Sequence, residues 1–165
     1  MPLRTGRLPQ PASLASFVPR EIGYALAEGA ILSPRTAGAA LVADISGFTP
    51  LTAALAAELG PTRAAEELVH HLDGVFELLV NEIHRYRGSV IGFAGDAVTC
   101  WFDGGVESND RAAARAVAAA TRIRDGLRDR VITSPSGQVF PIRVKAAIAT
   151  GPASRFLIGD PAQTR

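Results

Sequence analysis

Two aspartates, each next to an apolar run and close to glycine, carry the clearest chemistry in this 165-residue chain. Asp44 stands in Ala43-Asp44-Ile45-Ser46-Gly47-Phe48-Thr49, and Asp96 follows Gly95 ahead of Ala97-Val98-Thr99-Cys100-Trp101-Phe102. An unpaired carboxylate at the end of a buried strand is costly, and a divalent cation shared by both would offset that cost. Hard cations such as Mg²⁺ take oxygen ligands, and two carboxylates, a backbone carbonyl and substrate phosphates complete such a shell. Ser46, Gly47, Phe48 and Thr49 lie where a strand gives way to a helix N-terminus, whose free N–H groups bind phosphate oxygens. The combination specifies a metal–triphosphate site. The plainer alternative is a helix-approach acid at Asp44 and an ordinary turn at Gly95-Asp96, since both residue types are favoured in turns.

The elements that must position these residues follow from periodicity. Ala37 to Ile45 is an apolar run broken only by Gly38 and Asp44, which predicts a strand buried on both faces with Asp44 at its exit. Thr49-Pro50 predicts a helix start, with threonine as cap and proline at the first helical position, and that helix stops at Gly60. From Ala64 to Tyr86 a helical period runs through Ala65, Leu68, Leu72, Phe76, Leu79 and Ile83. Ser89–Phe93 and Ala97–Phe102 predict a hairpin of three or four loop residues with Asp96 at its tip. Ser108, Asn109 or Asp110 caps a further helix with Ala113, Val117, Ala120, Ile123 and Leu127 inward. Val139–Ala149 and Ser154–Ile158 read as strands split at Gly151-Pro152. The order predicts an α+β domain of ferredoxin-like, split βαβ type, with helices on one sheet face. In that plan the first strand neighbours the hairpin, so Asp44 and Asp96 converge.

Composition limits the rest. Apolar residues make up 47% of the chain and charged residues 20%, which suits a single core. Residues 1–36 read as an N-terminal extension with a short helix around Ile22 to Leu26, and 37–165 as the main domain. No apolar run approaches a membrane span. Seventeen basic against sixteen acidic residues leave +1, which gives no general attraction to nucleic acid or membrane, so phosphate binding must be local. Cys100 is the one cysteine, and with no signal-like N-terminus it points to a reducing cytoplasm. Lys145 is the only lysine.

The motifs Ala43–Thr49 and Phe93-Ala94-Gly95-Asp96-Ala97 resemble the two metal-binding motifs of class III nucleotidyl cyclases, nearest to the soluble, bicarbonate-responsive adenylyl cyclase subgroup. Ile142-Arg143-Val144-Lys145-Ala146 and the Gly159-Asp160 turn match that family's later strands, and the likeness covers roughly residues 20 to 160. It implies an adenylate cyclase domain that converts ATP to 3′,5′-cyclic AMP and pyrophosphate at an interface with a second cyclase domain. Asp44 and Asp96 would bind two Mg²⁺ or Mn²⁺ ions with the Ile45 carbonyl. Ser46, Gly47, Phe48 and Thr49 would cradle the triphosphate, and Lys145 would meet its terminal phosphate.

The chain departs from the family at two places. Family members that complete their own site carry an adenine-reading lysine four residues before the second metal aspartate, where this chain has Gly92. The family's later base-reading and transition-state residues lie beyond a turn like Gly159-Asp160, so the chain reads as a C-terminally truncated fragment, inactive alone, that supplies the metal-binding half. A regulatory cyclase-homology module without catalysis is the rival, and a palm-like phosphotransfer domain, as in polymerases and diguanylate cyclases, is a third possibility, of which the lack of a Gly-Gly-Asp/Glu-Glu-Phe run disfavours the diguanylate cyclase. His70, His71 and His84 read as exposed helix residues, because adjacent helical positions point about 100° apart. Cys100 reads as a small buried hydrophobe, the arginines from 111 to 130 as a solvated helix face, and Asp103 as a plain turn acid.

Overall fold

The computed structural model describes residues 19–29, 31–105 and 109–156. The chain divides into a unit up to Leu32 and a second from Ser33. In the first, helix α1 (Arg20–Glu28) is followed by Gly29 in the left-handed region. The elements of the second are β1 (Arg35–Ser46), α2 (Phe48–Leu59), α3 (Pro61–Arg85), β2 (Ser89–Ala94), β3 (Ala97–Asp103), α4 (Asn109–Leu127), β4 (Val131–Thr133), β5 (Val139–Pro141) and β6 (Arg143–Ser154).

Four strands form one sheet in the order β2-β3-β1-β6, with every neighbouring pair antiparallel. Since β1 and β2 are separated by β3, this is the split βαβ arrangement expected from the pattern. Alternation along β1 settles which face the helices cover: Ala39, Leu41, Ala43 and Ile45 are buried, whereas Val42 between them is 43% exposed. The expectation of a strand buried on both faces is therefore corrected. A run of alanines has too little size contrast to reveal a period of two, and the second face carries Val42, Thr99 and Ala147 in the open. Helices α2, α3 and α4 pack Leu51, Leu55, Val75, Leu79, Ile83, Ala116, Ala119 and Ile123 into the covered face with Val98, Cys100 and Phe102.

Small side chains also explain a phase error in α4. Its buried positions are Ala112, Ala116, Ala119, Ile123 and Leu127, and Val117 is exposed. The expected set of Ala113, Val117 and Ala120 sits about one residue out of register in the first half, where alanine occupies both faces. Strand β6 runs unbroken through Gly151-Pro152, because it is an edge strand, where a proline without an N–H is tolerated. The expected break falls instead at Ile142, and β4 and β5 form a separate two-stranded hairpin around Ser134-Pro135-Ser136-Gly137. The suggested strand from Ser154 to Ile158 lies partly outside the described residues, as do Ser108 and the Gly159-Asp160 turn.

At the end of the sheet away from Asp44, Asp103 is more than a turn acid. Its carboxylate accepts hydrogen bonds from Thr36 Oγ1 (3.0 Å), Trp101 Nε1 (3.5 Å) and the Gly105 N–H (2.6 Å), and pairs with Arg155. Residues at the start of β1, just after β6 and at the exit of β3 are thereby tied together. Burial raises the Asp103 carboxyl, but the bonds from Arg155, Gly105, Thr36 and Trp101 outweigh it and hold the group below the ordinary carboxylate range. A depressed folded-state value contributes stability that is present above the unfolded value, about 3.9, and is lost as pH falls through the folded one. Urea midpoints of the wild type and Asp103→Asn will accordingly differ at pH 7 and converge as pH falls through the folded-state value of Asp103.

Candidate active site

Sheet register brings the two aspartates to one place. Asp44 pairs with Ala97 of β3 on one side and with Lys145 of β6 on the other. Directly opposed residues of antiparallel strands project to the same face. Asp44, flanked by buried Ala43 and Ile45, therefore points to the open face beside exposed Lys145. The next step of the ladder is made by the turn itself, where the Ile45 N–H donates to the Asp96 carbonyl at 3.2 Å. Asp96 is thus held one residue past the partner of Asp44. Gly95 and Asp96 form a two-residue loop, shorter than expected, with Gly95 at φ 63° as a tight hairpin demands. Asp96 is exposed at the tip.

Ser46 closes β1, opposite Arg143, and Gly47 begins the change to helix. The cap of α2 is Gly47 at φ 110°, not Thr49, and no side chain bonds the first turn. Thr49 and Pro50 are the second and third helical residues, and Thr52 Oγ1 donates to the Phe48 carbonyl instead of to the helix start. A helix leaves its first four N–H groups without intrahelical partners, and here the fourth position is a proline with none. Three donors remain, on Gly47, Phe48 and Thr49. No acid occupies the first turn, so nothing there neutralises the positive end of the helix dipole. Gly47 is also sterically required: a Cβ at that position would lie 2.4 Å from the Pro141 carbonyl oxygen.

The structure therefore groups Asp44, Ile45, Ser46, Gly47, Phe48, Thr49, Asp96 and Lys145 at one end of the sheet. Among the described residues no three or more His, Cys, Asp or Glu side chains come together as a metal cluster. Asp44, Asp96 and neighbouring backbone carbonyls make an all-oxygen donor set that suits a hard cation and needs further oxygens from a ligand. The sequence reading missed Arg143. Its place two residues before Lys145 was the one sequence signal; the structure sets it opposite Ser46, and with Arg124, Leu127, Arg128 and Val144 it lines a cleft of about 360 Å³. Gly92 lies on β2 opposite Thr99, next to a bulge at Ile91, and a Cβ there would meet nothing within 4 Å.

Of the residues expected to mislead, Arg124 and Arg128 line the cleft beside Arg143. His70 and His71 neighbour one another on α3 with ring centroids 5.8 Å apart; His70 is exposed, while His71 and His84 are partly buried. Arg124 and Arg128 both pair with Asp125, whereas Arg115 donates to the Asp103 and Arg87 carbonyls. Burial pushes the Cys100 thiol up to about 12. Iodoacetamide at pH 8 is expected to leave Cys100 unmodified in the folded chain and to alkylate it fully in denaturant, as mass spectrometry would read directly.

No protein-family model matches the chain. Against curated proteins it is 26% identical to adenylate cyclase type 10 of Oryctolagus cuniculus and 28% identical to that of Homo sapiens, over 123 residues in each case. That stretch is 74% of this chain but only 7% of either relative's length. Among solved structures, a bacterial light-regulated adenylyl cyclase superposes with a TM-score of 0.67 at 18% identity, covering 91% of this chain and 42% of that one. The adenylyl cyclase CyaB from P. aeruginosa gives 0.59 at 23% identity over 81% of this chain and 65% of its own. The guanylyl cyclase Cya2 gives 0.59 at 27% identity, with 79% and 61% covered. The sequence and structural likenesses coincide.

The chain has the fold of adenylyl and guanylyl cyclase domains.

In this cyclase-like fold α2, α3 and α4 cover one side of the sheet, and no described helix is long and apolar enough to cross a membrane. Both adenylyl and guanylyl cyclases share the fold, so the architecture alone leaves the base unassigned.

Proposed function

We propose that this domain is the metal- and triphosphate-binding half of an adenylate cyclase centre, acting on ATP at an interface with a second cyclase domain. The observation that carries the reading is the register: Asp44 lies between Ala97 and Lys145, one residue from the Ile45–Asp96 bond, beside an uncapped helix start. Asp44 and Asp96 would hold two Mg²⁺ or Mn²⁺ ions with the Ile45 carbonyl. Such ions lower the pKa of the ribose 3′-hydroxyl and balance charge on the departing pyrophosphate. Ser46 and the Gly47, Phe48 and Thr49 N–H groups fix the triphosphate, while Lys145 on the open face meets its terminal phosphate. The site residues, the ions and the partner domain are part of this proposal, as is a cytoplasmic location.

A second reading has its own observation. Position 92 carries no side chain and has open space around it, so that position brings no base-reading cation. A partner domain that reads the base would satisfy the catalytic reading, and a regulatory module that binds nucleotide without turnover would satisfy the other. Assaying the chain, and any longer protein that contains it, with ATP and GTP under Mn²⁺ separates the two. Metal-dependent cyclic AMP that disappears on Asp44→Ala supports the enzyme, whereas nucleotide binding without product supports the module.

A further inference from the structure

Glu58 lies at the far end of α2 from the phosphate-binding turn, one residue before the helix ends. A carboxylate there opposes the helix dipole, whose C-terminal end carries partial negative charge. Helix stability therefore does not explain it. Its hydrogen bonds do: Glu58 Oε1 accepts from Ser134 Oγ at 2.9 Å and Ser136 Oγ at 2.6 Å, and Oε2 accepts from the Ser136 N–H at 2.9 Å. The bond from Ser136 is the largest influence on the carboxyl and holds it below its ordinary range, so it is an ionised, acceptor-only group at neutral pH. Ser134 is buried, and its backbone closes the β4–β5 turn through Ser134 N–H to Gln138 O (2.8 Å) and Gly137 N–H to Ser134 O (2.9 Å).

The same hairpin reaches the other end of α2. Where β5 gives way to β6, the Pro141 carbonyl and buried Ile142 pack against Gly47 so closely that a Cβ would fall 2.4 Å from the first and 3.2 Å from Ile142 Cδ1. The Ile142 N–H is fixed by the Arg130 carbonyl at 3.0 Å. Between these two holds, α2 is a rod of about 15 Å from Phe48 to Glu58, seated on the core by Leu51 and Leu55. One rigid hairpin thus references both ends of the helix whose first turn presents the Gly47, Phe48 and Thr49 donors.

We propose that Glu58 is a positioning residue that, through its clasp on Ser134 and Ser136, sets the attitude of α2 and hence the geometry of the phosphate-binding turn. Its consequence for triphosphate affinity rests on the function proposed above; its consequence for the turn does not. Substitutions grade the clasp. Glu58→Gln keeps an acceptor but loses the charge, Glu58→Ala removes both, and Ser136→Ala removes one hydroxyl donor while leaving the N–H.

The test uses amide NMR spectra of the 165-residue chain and the affinity for adenosine 5′-(β,γ-imido)triphosphate with Mn²⁺. In Glu58→Ala the Gly47, Phe48 and Thr49 amides are expected to shift, and affinity to fall about 3- to 30-fold. Glu58→Gln and Ser136→Ala should lie between wild type and Glu58→Ala in both readouts, and both remain usable if Glu58→Ala does not fold. Shifts confined to the end of α2 and the 133–138 turn would overturn the proposal whatever the change in affinity or melting temperature, leaving Glu58 a local staple. If wild type does not bind the nucleotide while the Gly47–Thr49 amides still respond to Glu58, the positioning role stands and the triphosphate reading fails.

Discussion

Replacing Asp44 by alanine is expected to lower metal-dependent cyclase activity by about 10²–10³-fold, with little loss of fold. Charge stabilisation by a bound metal is worth several kcal/mol, and each 1.36 kcal/mol is tenfold in rate. Asp44 projects to the open face of the sheet, flanked by buried Ala43 and Ile45, so alanine leaves no cavity in the core. Relieving a half-buried carboxylate of its position at the strand end adds no unsatisfied group. Asp96→Ala should behave alike, because the Ile45–Asp96 bond uses the backbone carbonyl and survives truncation of the side chain. The pair should also be far from additive, since either loss dismantles the same oxygen shell. Activity of the protein in which the domain completes its centre, measured against Mn²⁺ concentration for each single variant and the double, gives the answer. Singles that each retain a tenth or more of wild-type rate would show that the two acids do not act together.

Gly47→Ala carries the second large effect, and it is expected in stability as well as binding. The residue sits at φ 110°, where a side chain is strained by about 1–3 kcal/mol, and the new methyl would collide with a backbone oxygen that has no rotamer to yield. For a chain of this size that corresponds to a fall of roughly 2–12 °C in melting temperature. Because the displaced backbone is the cap of α2, the Phe48 and Thr49 N–H groups move with it, and triphosphate affinity should drop more than stability alone explains. Gly92→Ala provides the matched control: open surroundings and no positive φ predict a change within about 0.5 kcal/mol. A calorimetric scan of the three proteins distinguishes these expectations, and a Gly47→Ala protein melting with the wild type would remove the steric argument.

The sequence was most legible where chemistry and patterning coincided. Asp44 and Asp96 are expected together because a split βαβ order makes β1 and the β2–β3 hairpin neighbours, and the observed register sets Ala97, the residue after Asp96, opposite Asp44. The start of α2 was misread by two residues. Thr49-Pro50 looked like a cap and first helical position, yet Gly47 takes the cap because only glycine fits under Pro141, a contact made by a segment more than ninety residues away. Alanine-rich elements lost their phase for a related reason: with Ala at Ala112, Ala113, Ala116 and Ala120, burial is decided by what the sheet presents and not by side-chain size. The β4–β5 hairpin escaped because strands of three residues are too short to show alternation. Asp103 and Glu58 escaped for a different reason, since Thr36 and Arg155 on the first and Ser134 and Ser136 on the second come from dozens of positions away and leave no local signature. Arg143 was hidden among many arginines until register set it across from Ser46.

The account stands on one claim, that Asp44, Asp96 and the start of α2 form a single metal–triphosphate site. Titrating substoichiometric Mn²⁺ with adenosine 5′-(β,γ-imido)triphosphate into the isotopically labelled 165-residue chain tests it directly, because the paramagnetic ion broadens only nearby amides. The expected result is early and selective loss of the Asp44, Ile45, Gly47, Phe48, Thr49, Asp96 and Ala97 signals, abolished together in Asp44→Ala. Broadening centred on His70 and His71, or none that depends on Asp44, would contradict it.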